Sequence, residues 1–342
     1  MAGRRGMIPY SRETPNGWKM QDHMIWTLTD GKVGMVNQAF GLAQAIAREL
    51  GGFRVIEKKI VPSRPWSMLP ANLWPPGISG MASPRLEAPW PNFIVGCGRH
   101  AIGPALWIKK RSAGKTRLIH AQHPRIAVSH YDAIVAQSHD SKRGPNVIEV
   151  LGSMHSLTEA GLLSATERIP EAIAAVAKPV VAVLIGGTNS TYRLTKEIAC
   201  RLVDDLWRLV EGDGYGLLVS TSRRTGADIE KLLRERLSGP KIYFWDGSGE
   251  NPYFAMLALA DAILATSDSV NMVSEASYTG KPVYVITLAG GEGSKFERFH
   301  AEMHRQGFTN PFRGKIEIRE SRRLDETARA AREIATRLAF CG

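Results

Sequence analysis

The residues best suited to chemistry lie in short polar turns that follow apolar runs. Gly186, Gly187, Thr188, Asn189 and Ser190 come after the run VVAVLI and before a helical stretch. Glycines let a backbone approach an anion, and the first N–H groups of a helix lack intrahelical acceptors, so a phosphate suits this turn. Two glycines after a strand are also common in α/β proteins, and spacing alone leaves both readings open. The segment TSDSVNMVSEASYTGKPVYVI, 266–286, combines more features. Ser267, Asp268 and Ser269 form a polar turn, Ser274 and Glu275 follow one to two helical turns on, and Gly280-Lys281-Pro282 stops the helix. A carboxylate near a helix start can accept both hydroxyls of a ribose, while serines and the helix N-terminus hold a diphosphate. The alternative is an N-cap at Ser267 or Ser269 with Glu275 on a solvated face.

Arg223 and Arg224 end the run STSRR. Their guanidinium groups match phosphate oxygens bidentately, and the alternative is a solvated pair. Asp30, in a turn after the first apolar run, is either a general base for an attacking hydroxyl or a turn cap. Lys32 suits an acidic ligand. His123, before Pro124, is a second base candidate or a structural histidine. His100, His300 and His304 have no supporting pattern, and no His/Cys/carboxylate spacing argues for a metal.

These turns need elements to hold them, and the chain supplies strand-like and helix-like segments in alternation. MIWTLTD at 24–30 reads as a strand, followed by a helix with Val36, Phe40, Ala43, Ala47 and Leu50 at three- and four-residue steps. FIVGCGRH, AIGPALWIKKR, RLIHAQHPR, AIVAQSHD and VIEVLG continue the pattern to residue 152, after a Pro- and Trp-rich loop at 66–80. A connector at 161–179 precedes a second alternation with five strands, in which Ile198, Leu202, Leu206 and Leu209 share one helical face. A helix at 324–339 has no strand after it and is expected to pack across the domain boundary.

Composition sets the limits. At 342 residues, 44% hydrophobic and 23% charged, the chain suits two globular domains. No apolar run reaches the ~20 residues of a membrane span. Residues 1–23 read as a loose basic arm without the apolar core of a secretory signal, and Glu13 and Asp22 break the acid-poor pattern of a transit peptide. Cys97, Cys200 and Cys341 are too few and too scattered for a disulfide framework, which fits a reducing cytoplasm. The net charge of +11 favours anionic partners, and Trp66, Trp74 and Trp90 suit an acidic membrane surface or act as packing anchors. No nucleic-acid recognition motif accompanies the charge, so no specific nucleic acid is expected.

The order GGTNS, STSRRT, WDGSGENPYFAMLALADAILATSDSVNMVSEASYTGKPVYVI and KFERFHAEMHRQG resembles the nucleotide-sugar half of the glycosyltransferase-B superfamily. The N-acetylglucosamine transferase of peptidoglycan synthesis is its best-known pattern, although Asp30-Gly31-Lys32 replaces that enzyme's glycine run ending in histidine. More narrowly, TDGKVGMVNQAFGLA and STSRRTG resemble the plant "elongated mitochondria" fission family, some of whose bacterial members are labelled nucleotide-sugar epimerases. The resemblance implies two doubly wound Rossmann-like α/β domains facing across a cleft, an acceptor side at 24–160 and a nucleotide-sugar side at 180–323. It implies that Glu275 contacts a donor ribose, that Gly186, Gly187, Thr188 and Ser267 to Ser269 surround the diphosphate, and that Tyr253 to Met256 border the base. The expected activity is a metal-independent, hexosyltransferase-like glycosyl transfer. A nucleotide-diphosphate sugar is the donor substrate, the acceptor is lipid-linked or anionic, and no further cofactor is needed. The location is cytoplasmic, at the inner face of the membrane. The alternatives are an epimerase on the same fold and a non-catalytic scaffold or membrane-remodelling adaptor.

Overall fold

In the computed structural model the described residues are 23–63, 68, 81–83, 86–124, 126–140, 143–167, 169–318 and 321–339. Residues 1–22 of the expected arm at 1–23, together with Trp66, Trp74 and Cys341, lie outside them. The chain divides into unit 1, Met1–Ala136, Lys142–Ile148 and Thr327–Gly342, and unit 2, Gln137–Ser141 and Glu149–Glu326.

The central strands of the first sheet are apolar runs buried on both faces, the signature of parallel strands covered by helices. In chain order its part of the fold is β1 (Met24–Thr29), α1 (Val33–Leu50), β2 (Arg54–Lys59), the antiparallel pair β3 (Val61–Pro62) and β4 (Met81–Ser83), β5 (Phe93–Cys97), α2 (Ile102–Arg111), β6 (Arg117–Ala121), β7 (Ala133–Gln137) and β8 (Val147–Val150). The strand order is β2-β1-β5-β6-β7-β8, with parallel pairing from β2 through β7. The helix expected after β1 forms, but a different face is buried. Gln38, Ala39, Leu42, Ala43, Ala45 and Ile46 turn inward, and of the five residues read as the apolar face only Ala43 is buried. The small side chains on this stripe let α1 lie close to the sheet.

Unit 2 continues with α3 (Glu159–Glu167), α4 (Glu171–Ala174), β9 (Val180–Ile185), β10 (Tyr192–Arg193), α5 (Lys196–Glu211), β11 (Gly216–Thr221), α6 (Ala227–Arg236) and β12 (Ile242–Phe244). It is completed by α7 (Tyr253–Leu259), β13 (Ala262–Thr266), α8 (Val270–Tyr278), β14 (Val283–Ile286), β15 (Ala289–Gly290), α9 (Lys295–Arg305) and β16 (Asn310–Pro311). Its sheet is parallel and six-stranded, one more than expected, in the order β12-β11-β9-β13-β14-β16. Successive residues of β9 serve opposite cores. Val181, Val183 and Ile185 meet Ile198, Leu202, Leu206 and Leu209 of α5, whereas Ala182 and Leu184 join Met256, Leu257 and Phe299. A last helix, α10 (Glu326–Ala339), buries Ala330, Ala331 and Ile334 completely and, from Thr327, belongs to unit 1.

Each sheet has a point where strand order reverses, and ligands of open α/β sheets bind outside the carboxyl ends of the strands there. In unit 1 it lies between β1 and β5, and in unit 2 between β9 and β13. Among the described residues no helix is long and apolar enough to cross a membrane.

Candidate functional site

The unit 2 switch point gathers Gly186–Asn189 after β9, Ser222–Thr225 after β11 and Ser267–Ser269 after β13. Asp268 organises them. Its side chain is 0% exposed and accepts from Arg224 Nη2 at 2.6 Å and Nε at 3.1 Å. Thr266 Oγ1 donates to the other carboxylate oxygen at 2.6 Å and accepts the Gly186 N–H at 2.7 Å. Asn189 Nδ2 donates to the Asp268 carbonyl at 3.2 Å, and its side-chain oxygen accepts the N–H groups of Thr191 and Tyr192. Ser222 and Thr225 hydroxyls donate to the Gly186 carbonyl. The glycines are required by this crowding. A β-carbon on Gly186 would lie 2.1 Å from Asp268 Oδ1, and one on Gly187 would lie 2.0 Å from the Arg224 carbonyl oxygen.

Several expected ligand groups are therefore already engaged. The Gly186 N–H faces Thr266, the Thr188 N–H donates to the Arg224 carbonyl, and Thr188 Oγ1 accepts the Leu194 N–H. Asp268 is an internal counter-ion, since a buried carboxylate would repel phosphate. Ser267 Oγ accepts the Leu288 N–H, and Ser269 caps α8 by accepting the Met272 N–H. Ser274 corrects the sequence reading. Its hydroxyl is buried, donating to the Val270 carbonyl at 2.7 Å and accepting the Ser153 N–H at 2.9 Å. Met256 is corrected too, because it is 0% exposed in the apolar core. Arg223 is exposed and has no ion-pair partner among the described residues.

Glu275 is 6% exposed, which overturns the solvated-face alternative. Tyr253 donates its hydroxyl to Glu275 Oε2 at 2.6 Å and so orients the carboxylate from α7. Burial, then the Glu275 charge and this hydrogen bond, push the Tyr253 phenol well above its ordinary range. Sequence reasoning missed Thr266 and the hydroxyls of Ser222 and Thr225, which sit inside the quoted motifs ATSD and STSRRT. It also left His300 aside, whose Nε2 donates to the Ser267 carbonyl at 2.7 Å and pins the turn from α9.

In unit 1, Asp30 follows β1 and pairs with Lys32 Nζ at 2.7 Å and His100 Nδ1 at 3.4 Å. Arg99 Nε donates to His100 Nε2 at 3.1 Å, so the imidazole proton lies on Nδ1, toward Asp30. Burial opposes ionisation of Asp30, but the Lys32 ammonium and backbone N–H, with His100, outweigh it and hold the carboxyl below its usual range. Such a carboxylate is a weak base. The neighbouring Cys97 thiol is pushed up to about 12 by burial and the Asp30 charge, which makes it unreactive. His123 lies in the loop after β6, half-buried, beside Gln122, whose φ of 91° is rare for a residue with a side chain.

Two parallel six-stranded sheets with polar loops at their switch points define a glycosyltransferase-B-type α/β fold. Solved structures of like fold include the UDP-GlcNAc 2-epimerase from Methanocaldococcus jannaschii, 13% identical, with a TM-score of 0.57 and covering 94% of this chain and 100% of that one. The glycotransferase of kitacinnamycin is 12% identical, with a TM-score of 0.50 over 94% of each chain. The chain belongs to the mitochondrial fission ELM1 family, whose model matches residues 33–338. Mitochondrial fission protein ELM1 of Arabidopsis thaliana is 30% identical over 295 residues, 78% of this chain and 68% of that protein.

Proposed function

We propose that unit 2 binds a nucleoside-diphosphate sugar and that the chain is a metal-independent glycosyltransferase. The observation that carries this reading is the pair Arg223 and Arg224 at the β9/β13 switch point. Arg224 is committed to Asp268, and its neighbour Arg223 is exposed and open to an anion. Glu275 lies on α8 with its carboxylate oriented by the Tyr253 hydroxyl of α7, and a carboxylate so held suits ribose hydroxyls. In transfer, an acceptor hydroxyl bonds to the anomeric carbon as the bond to the diphosphate oxygen breaks. The hydroxyl proton passes to a base, and the diphosphate leaves with its charge met by Arg223 and the first N–H groups of α8.

The test is calorimetric titration with uridine, guanosine and adenosine diphosphates, with and without a chelator. Uridine diphosphate is the first choice, because the M. jannaschii epimerase was solved with UDP-GlcNAc and UDP. Binding that survives the chelator supports the reading; no binding, or strict metal dependence, sinks it. Two alternatives are separated by products. An epimerase on this fold converts its donor without added acceptor. A scaffold, which the family's fission name favours, binds a protein partner and turns over no donor.

A further inference from the structure

One half-buried cation of unit 2 lies outside the Asp268 network. Lys281, in the turn Gly280-Lys281-Pro282 that follows α8, directs its Nζ at α7 and donates to the carbonyls of Leu257 at 2.9 Å and Ala258 at 2.5 Å. These belong to the last turn of α7, where carbonyls lack intrahelical donors and a cation meets the negative end of the helix dipole. α7 has seven residues and no basic residue in that turn, so the donor comes from outside the helix. A helix so short is marginal by itself, and what fixes its ends fixes its position. At its other end Tyr253 reaches Glu275 of α8. The two connections are thus joined twice, by Tyr253 to Glu275 and by Lys281 to the two carbonyls. A tilt of α7 about one joint would strain the other.

We propose that Lys281 is a positioning residue for Glu275: by holding the end of α7 it keeps the Tyr253 hydroxyl where it orients the carboxylate. The ribose role of Glu275 is that of the nucleotide reading, on which this inference rests. Around Lys281, α7 presents carbonyls, the turn before β13 presents Asp261 and the segment before β9 presents Lys178. Burial pulls the Lys281 ammonium down to about 8, the Asp261 carboxylate opposing the drop and the Lys178 charge adding to it. Asp261 is itself fixed by accepting the Val180 N–H at 2.7 Å. Because burial outweighs the helix dipole, the held state takes the neutral amine more readily than the charged one. The hold therefore tightens as pH rises from about 8 toward the ordinary lysine range.

The test titrates the full chain and Lys281→Met, which keeps the apolar stem and loses the donor, with uridine, guanosine and adenosine diphosphates. The variant binds about fivefold more weakly than the parent, short of the roughly thirtyfold expected when Glu275 itself is lost. The gap widens between about pH 7 and about pH 9, as the parent's hold tightens and the variant has nothing there to titrate. A residue that only supports the fold lowers the unfolding midpoint and leaves affinity and its pH profile unchanged, and that result overturns the proposal. A double-mutant cycle with Tyr253→Phe in denaturant unfolding reads the same coupling without a ligand. If Lys281 acts through Tyr253, the double variant loses less of its midpoint than the two single losses together; additive losses overturn the proposal. A parent that binds none of the three nucleotides sinks the nucleotide reading, and the cycle then decides whether Lys281 sets the Tyr253–Glu275 geometry. If Lys281→Met does not fold, Lys281→Gln, which keeps an amide donor, takes its place.

Discussion

The two switch points carry similar groups and spend them differently. In unit 2 a fully buried carboxylate draws an arginine, a threonine and two glycine-bearing loops into one satisfied network. In unit 1 the Asp30 carboxylate is bonded mostly to its own turn, through the Lys32 ammonium and backbone N–H, and meets His100. The contrast teaches that a polar strand-end cluster is not evidence of a ligand by itself. What matters is which groups are left over after the protein has satisfied its own, and in unit 2 that is Arg223.

The largest expected effect tests the structural half of this contrast. Asp268→Asn leaves Arg224 without its counter-ion and is expected to cost about 2–3 kcal/mol in denaturant unfolding, below the range for a wholly buried pair because Arg224 is 43% exposed. A loss under ~0.5 kcal/mol would mean that the loops hold themselves. Next, Glu275→Ala should weaken binding of whichever nucleoside diphosphate the parent takes by about 2 kcal/mol. Tyr253→Phe, which leaves the carboxylate but not its orientation, should cost less; unchanged affinity in both would remove Glu275 from the site. Acid offers a third probe, through His120 of β6, whose pKa burial lowers to about 3, with His123 adding to the effect. Its folded pKa lies below the unfolded value, so its contribution is complete above pH ~6.5 and lost as pH falls toward 3, at up to ~1.4 kcal/mol per unit. Stability profiles of parent and His120→Leu should differ by that slope, and parallel profiles would discount the histidine. The smallest effect belongs to Asp30→Asn, which should change stability by less than ~1 kcal/mol, since its ammonium partner is exposed.

Strands buried on both faces were legible because continuous apolar runs such as VVAVLI and FIVGC bounded by turn residues allow little else. β2 was not, since RVIEKK is an edge strand with every position at least partly exposed and has neither an apolar run nor clean alternation. The two-residue strands β3, β10, β15 and β16 carry no periodic signal. Glycines and polar turns marked the right strand ends for the candidate site. Contacts between turns were hidden, because Arg224 meets Asp268 across 44 residues and Tyr253 meets Glu275 across 22. Nor could helical spacing show that Ser274 and Met256 point into packed structure, where Glu275, their neighbour in the same argument, keeps a polar partner.

The path of the chain through the two units bears on its synthesis. Domains generally fold as they leave the ribosome, the N-terminal one first. Here α10 is made after every element of unit 2, yet Ala330, Ala331 and Ile334 are buried parts of the unit that begins first. Unit 2 can finish folding while its forerunner still lacks a helix, so the earlier-born half must wait, partly open, for the later one to be completed. Ribosome-stalled chains in which residue 325 is followed by a flexible linker long enough to clear the ribosome should therefore hold a protease-resistant unit 2 beside a cleavable unit 1.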